Sequence, residues 1–249
     1  MLELLPNAIS VPPPKCLNDF ALLPTSRHKL ESILDGTLSF PDHGVCGIIF
    51  YGLYGTGKTT MAKLLPGLLE TAKTDPNVST LAPGAITDTT DPITSYHPCI
   101  QGQNGITLIN QIQNMTSFVA SNESNLHYVI LDELDLLTDA AKASFKALMN
   151  RTNVVFLMTT NNLNEIDMGV QNRSVLVDMN VPPPTHWRPL LRRVYTDSGL
   201  TAPADSVLDQ VVEAGRGSAR SIFTDVVMSA NQARRDGHGG VDQIDSTRS

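Results

Sequence analysis

Eight consecutive residues, Gly52-Leu53-Tyr54-Gly55-Thr56-Gly57-Lys58-Thr59, are the part of this chain most plainly suited to chemistry. They fit G-x-x-x-x-G-K-[ST], a loop whose backbone N–H groups cradle phosphate. The glycines let the backbone wrap closely around an anion without Cβ clashes. Lys58 is placed to reach the β- and γ-phosphates of a nucleoside triphosphate, and the Thr59 hydroxyl to ligate Mg²⁺. Thr60 follows in the next helical position and closes the binding segment, so the ligands implied are ATP and Mg²⁺. A second pair of reactive groups, Asp132-Glu133, ends the apolar run 127–131. Beside a phosphate loop such a pair divides the work. Asp132 is expected to hold Mg²⁺ through water, and Glu133 to orient and polarise the attacking water. Phosphoryl transfer needs mainly positioning and charge neutralisation, which these two roles supply.

The elements that must position these groups are legible as well. Residues 46–51 form a short apolar, β-rich run before the loop, and residues 58–70 read as a helix after it. A strand feeding a glycine turn that opens a helix aims several N–H groups at one spot, and the helix N-terminus adds partial positive charge. The strand carrying Asp132 is expected next to the phosphate-binding strand. Further strands are read at 94–100, confined to an edge or ending at Pro98, at 153–159 and at 174–179. Helices are read at 26–34, capped by Gly36, along Ile106, Ile109, Ile112 and Met115, and from Thr138 onward. Strands alternating with helices imply an α/β domain with a mostly parallel sheet flanked by helices. Pro182-Pro183-Pro184 marks a boundary, after which 187–197, 204–214 and 219–233 read as three helices. The expected domains are an extended N-terminal segment 1–20, an α/β ATPase domain 21–182, a helical lid 183–235 and a disordered tail 236–249.

The 249 residues carry a net charge of −7, which argues against wholesale coating of nucleic acid. The charge is uneven: residues 1–141 hold 6 Lys and Arg against 14 Asp and Glu, and residues 142–249 hold 12 against 11. Arg188, Arg192, Arg193, Arg216, Arg220, Arg234 and Arg235 cluster in the second part. They read either as a local DNA-facing patch or as solvated helix faces. Cys16, Cys46 and Cys99 are isolated, which argues against a disulfide framework and a zinc site and fits a reducing cytoplasm. No apolar run is long enough to span a membrane, and the proline-broken N-terminus has no signal-peptide pattern.

Asp132-Glu133-Leu134-Asp135, with Leu137-Thr138 and the helix behind it, resembles the D-E-x-D element of AAA+ ATPases. The chain is most similar to the small subunits of clamp loaders of the replication factor C and phage types, over roughly residues 14–230. Pro14 to Phe20 looks like that family's opening segment near the adenine, although Pro13-Pro14 stands where the family carries Arg-Pro. Asn161, in Thr159-Thr160-Asn161-Asn162, aligns with the sensor that hydrogen-bonds the attacking water and the γ-phosphate. Gln171-Asn172-Arg173-Ser174 is similar to the motif supplying an arginine finger, and its distance of twelve residues from Asn161 is that of the clamp-loader pattern. The resemblance implies that Arg173 acts in trans, on ATP bound by a neighbouring subunit of a ring. Gly217-Ser218-Ala219-Arg220 looks like the second sensor, with Arg220 reaching the phosphates and Arg216 as the alternative.

Lys142 stands where the family often has Gln. Lys146, at an often basic position, reads as a DNA-phosphate contact or a solvated lysine. A collar domain finds no counterpart before Ser249, so three readings stand: assembly without a collar, a collar supplied by a partner, or a protein that is not a clamp loader. The resemblance implies an oligomeric ATPase of DNA replication, with self or related subunits, primed or double-stranded DNA and a sliding clamp as partners. A helicase loader, initiator, transposition-type or other DNA-associated AAA+ regulator, and a slowly hydrolysing scaffold subunit, are the alternatives. A phage, plasmid or other mobile element is the expected source, with a host-cytoplasmic location if viral.

Overall fold

A computed structural model of the chain describes residues 9–100 and 105–239, the last four as backbone alone. The chain divides into two units, Pro14–Asn180, and Val181–Ser249 together with Met1–Pro13. In the first, helix α1 (Pro24–Leu34) precedes strand β1 (Gly47–Tyr51) and helix α2 (Lys58–Thr74). Then come β2 (Thr94–Pro98), α3 (Ile106–Met115), β3 (His127–Asp132), α4 (Asp139–Leu148), β4 (Val154–Thr160), the single turn α5 (Met168–Gln171) and β5 (Ser174–Asp178). All five strands run parallel in the order β2-β3-β4-β1-β5.

Burial explains the order. Every residue of β4 is buried, and so are the first four of β1, as apolar runs covered on both faces require. Alternate residues of β2 are exposed, and Pro98 ends it at the sheet edge. The Asp132 strand is therefore not beside the phosphate-binding strand, as expected from sequence: β4 lies between them. β4, apolar from Val154 to Met158 and buried along its whole length, takes the central position that best removes it from water.

Period-two alternation sorts the core into two layers. Ile48, Phe50, Tyr128, Ile130 and Leu157 pack with Leu30 of α1 and with Met61, Leu65 and Leu68 of α2. Ile49, Val129, Leu131, Phe156 and Met158 pack with Ile109 of α3 and Phe145 of α4. The rings of Phe145 and Phe156 meet edge-on, 5.1 Å between centroids. Helix α2 also buries Glu70, whose carboxylate accepts from the Ser124 N–H, the Ser124 hydroxyl and the Tyr128 hydroxyl. Those three donors satisfy a charge that would otherwise be costly to bury.

Three local expectations need correction. In α3 the buried face is Leu108, Ile109 and Ile112, while Ile106 and Met115 are 47% and 39% exposed. A strict three-residue step falls short of a full turn by about 60° each time, so four such residues sweep half the helix rather than one face. Residues 17–19 are not extended: they form a short 3₁₀ turn, because the Asp19 carboxylate accepts from the N–H groups of Lys15 and Cys16 and winds the backbone. Helix α8 (Ala219–Gly239) runs past the expected tail boundary at 236, since adding a residue to an existing helix costs far less than nucleating one. The expected tail beyond 239 and segment 1–8 lie outside the described residues.

The second unit holds α6 (Pro184–Asp197), α7 (Asp205–Ala214) and α8. Leu190, Leu191, Val194, Leu208, Val212, Ile222 and Val226 are buried, and Trp187 meets Phe223 edge-on at 5.9 Å. Among the described residues no helix is long and apolar enough to cross a membrane.

Removing the Phe156 ring empties the layer between β4 and α4. Phe156→Ala should cost about 3–5 kcal/mol, read as a lower urea midpoint with an unchanged slope.

Candidate nucleotide site

The glycine loop leaves the C-terminal end of β1. Gly52, Gly55 and Gly57 have φ of +142°, +77° and +95°, which L side chains rarely adopt. A Cβ on Gly52 would also meet the Asn180 amide nitrogen at 3.0 Å. Asn180 ties the loop to the end of β5: its Oδ1 accepts the Leu53 N–H at 3.1 Å, and its own N–H donates to Asp178 Oδ1 at 2.8 Å. The Thr56 hydroxyl donates to the Leu53 carbonyl at 3.0 Å. Leu53 and Tyr54 form the exposed tip.

Gly57 is the N-cap of α2 and offers no side chain to its first turn. The N–H groups of Gly57, Lys58 and Thr59 consequently have no acceptor among the described residues. Free donors at the head of a seventeen-residue helix favour an anion through both hydrogen bonding and dipole. The Lys58 ammonium is buried and donates to the carbonyls of Gly52 at 2.8 Å and Leu53 at 2.6 Å. Burial lowers its pKa, opposed by the charges of Asp132, Asp135 and Glu133. This arrangement fits a triphosphate: the ammonium already lies within the loop, and phosphate oxygens offer stronger acceptors than carbonyls.

Asp132, at the end of β3, is the hub of the site. Its Oδ1 accepts from Thr59 Oγ1 at 2.8 Å and from Thr159 Oγ1 at 2.6 Å. Its Oδ2 accepts from Tyr96 Oη at 2.8 Å. Thr59 and Asp132 thus present two hard oxygen ligands side by side, a donor set suited to Mg²⁺. No group of three or more His, Cys, Asp or Glu suited to a metal occurs among the described residues.

Glu133 has φ of +60°, left-handed for a residue with a Cβ. Its N–H donates to Thr159 Oγ1 at 2.9 Å, which holds that conformation. The side chain is exposed and unpaired among the described residues. A strained backbone that frees a carboxylate next to the hub is the kind of outlier that accompanies function. Asn161 directly follows β4, its amide likewise unpaired among the described residues. Asp135 accepts from Thr160 Oγ1 at 2.7 Å and so anchors the end of β4.

Arg173 stands apart from this group. It immediately precedes β5, whose Ser174 pairs with Gly47 at the start of β1. Its carbonyl accepts the N–H groups of Cys46 and Gly47, and its guanidinium donates to the Gly169 carbonyl at 2.9 Å. Arg173 and the phosphate loop therefore lie at opposite ends of a five-residue strand, roughly 16 Å apart along its axis. Arg220 is exposed in the first turn of α8, and Arg216 is exposed with φ of +45°; both belong to the second unit.

The basic candidates for DNA contact are partly neutralised. Arg188 pairs with Asp209 and Asp205, and Arg192 with Asp205. Lys146 pairs with Asp167 at 3.3 Å, and Lys142 lies 4.0 Å from Asp139.

Three residues that touch the site were not singled out from sequence: Thr159, Tyr96 and Asn180. Thr159, a hydroxyl ending an apolar strand, carried a usable signal. Tyr96 and Asn180 carried none, since their contacts depend on strand register.

Residues 48–179, more than half of the chain, match the sequence model of the AAA family, the ATPases associated with various cellular activities. The chain belongs to that family. No curated protein matches it in sequence. Among solved structures it is similar to a point variant of Thermotoga maritima RuvB, at 13% identity and a TM-score of 0.59 over 88% of this chain and 72% of that one. The Thermotoga maritima RuvB Holliday junction branch migration motor gives 12% identity and a TM-score of 0.56, with the same coverage. A DNA polymerase III gamma subunit-related protein of that organism gives 17% and 0.43, over 75% and 61%.

Thr159 is 1% exposed and joins Asp132 to the strained Glu133 backbone. Thr159→Val keeps its shape but strands the Glu133 N–H. It should cost about 1–3 kcal/mol of stability, measured by urea denaturation.

Proposed function

We propose that this chain binds ATP with Mg²⁺ and hydrolyses it in a site shared between two copies or related subunits of a ring. The observation that carries the reading is the Thr59–Asp132 hydrogen bond at the head of a helix whose first N–H groups are free. The binding segment is Gly52 to Thr60, with Lys58 turning from the loop carbonyls to the β- and γ-phosphates. Thr59 and Asp132 are the Mg²⁺ ligands, Asp132 through water; bound Mg²⁺ supplies charge neutralisation at the phosphates. Glu133 polarises the attacking water, and Asn161 orients it through its free amide. Arg220 answers to the phosphates from the lid.

The position of Arg173 supports action in trans. A guanidinium at the far end of β1 cannot serve its own loop, but it can serve the loop of an adjacent copy. There a finger contributes roughly a thousandfold or more to turnover.

In the cell we assign this ATPase to DNA replication, as a clamp-loader-like ring subunit acting on primed or double-stranded DNA with a sliding clamp as client. The twelve-residue spacing of Asn161 and Arg173 supports that assignment over a general AAA role. The free Glu133 carboxylate weighs against a scaffold subunit of slow turnover.

Glu133→Gln should bind ATP and hydrolyse it very slowly; wild-type turnover would remove Glu133 from the mechanism. Arg173→Ala and Lys58→Ala proteins should each be inactive, and their mixture should regain activity, measured as phosphate release. A mixture as inactive as its parts would exclude the shared site. Primer-template DNA with a sliding clamp should stimulate turnover; a lack of response to primed DNA would point instead to a helicase loader or initiator.

A further inference from the structure

The phenol of Tyr96 makes the sole hydrogen bond to Asp132 Oδ2 among the described residues, at 2.8 Å. Tyr96 lies on the edge strand opposite Ile130, two residues before Asp132 in register. That offset is about 7 Å along the strand. Residues 130 and 132 share one face, so a side chain from position 96 must run along the sheet to reach the carboxylate. Serine and threonine are too short for this, and phenylalanine has no donor. Lys63, from α2, sets its ammonium 4.0 Å from the Tyr96 ring centroid. A cation over the ring holds it in place and favours donation from the hydroxyl.

The consequence lies in how the two carboxylate oxygens differ. Oδ1 takes its bonds from Thr59, itself a Mg²⁺ ligand, and from Thr159. The Thr59 hydroxyl can keep its proton on Oδ1 while an oxygen lone pair faces the cation. Oδ2 is held from the opposite side by a residue outside the phosphate loop. Resting on the ATPase reading above, we infer that Tyr96 is a positioning residue for Mg²⁺: its hydroxyl fixes the plane of the Asp132 carboxylate so that Oδ1 faces the metal. Partners of this kind around a metal ligand are worth roughly tenfold or more in affinity.

The test is Tyr96→Phe in the full chain, with binding of a fluorescent ATP analogue followed across a Mg²⁺ series and in EDTA. The Mg²⁺ concentration at half-maximal binding should rise about tenfold, while affinity in EDTA and the thermal midpoint in EDTA stay at wild-type values. A Mg²⁺ requirement within twofold of wild type would overturn the inference. So would an equal loss of affinity in EDTA, or a lowered midpoint there, either of which marks the hydroxyl as structural. Wild-type protein whose binding ignores Mg²⁺ would remove the ATPase reading and this inference with it; Mg²⁺-dependent wild-type binding with an unaffected variant removes this inference alone.

Discussion

One carboxylate organises the first unit. Asp132 accepts hydroxyls from the head of α2, the end of β4 and the edge strand β2, while itself ending β3. Four elements therefore have to finish within hydrogen-bond reach of one side chain. A parallel sheet meets that demand because its strands all end on the same side, where the loops that follow them gather. Thr59 and Thr159 meet the same carboxylate oxygen, so the head of α2 and the end of β4 are held to a common register by hydrogen bonding as well as by packing.

The same sheet polarity separates the phosphate loop from Arg173. The glycine loop, Asp132, Glu133 and Asn161 sit beyond the C-terminal ends of β1, β3 and β4. Arg173 sits at the N-terminal end of β5, bonded through its own carbonyl to the start of β1. β1 fixes that distance, so the arginine lies at the end of the strand away from its own loop. A single subunit thus carries the phosphate loop and Arg173 at opposite ends of β1, the separation on which the proposed action in trans rests.

Lys58 shows how the loop keeps its shape with its own groups. The buried ammonium is satisfied by two carbonyls of the loop that it serves, and Asn180 and Thr56 hold the remaining turns. Three left-handed glycines make that fold of the backbone accessible. Phosphate binding then becomes an exchange of acceptors around an existing cation rather than the assembly of a new pocket.

The glycine spacing, the apolar strands and the paired acids made the α/β class and most candidate site residues legible in the chain alone. These are local properties: backbone freedom at Gly52, Gly55 and Gly57, alternation along β1 and β3, and adjacent charges at 132 and 133. What could not be read locally depends on which strand pairs with which. The insertion of β4 between β1 and β3, the reach of Tyr96 to a residue 36 positions away, and the Asn180 clasp on Leu53 all follow from sheet order and register. Even the buried face of α3 was decided by its packing against α4 rather than by its isoleucine spacing. Sequence by itself determined the chemical groups and the elements that bear them. Only the tertiary structure decided their partners, because burial and hydrogen bonding are satisfied across the whole sheet and not along the chain.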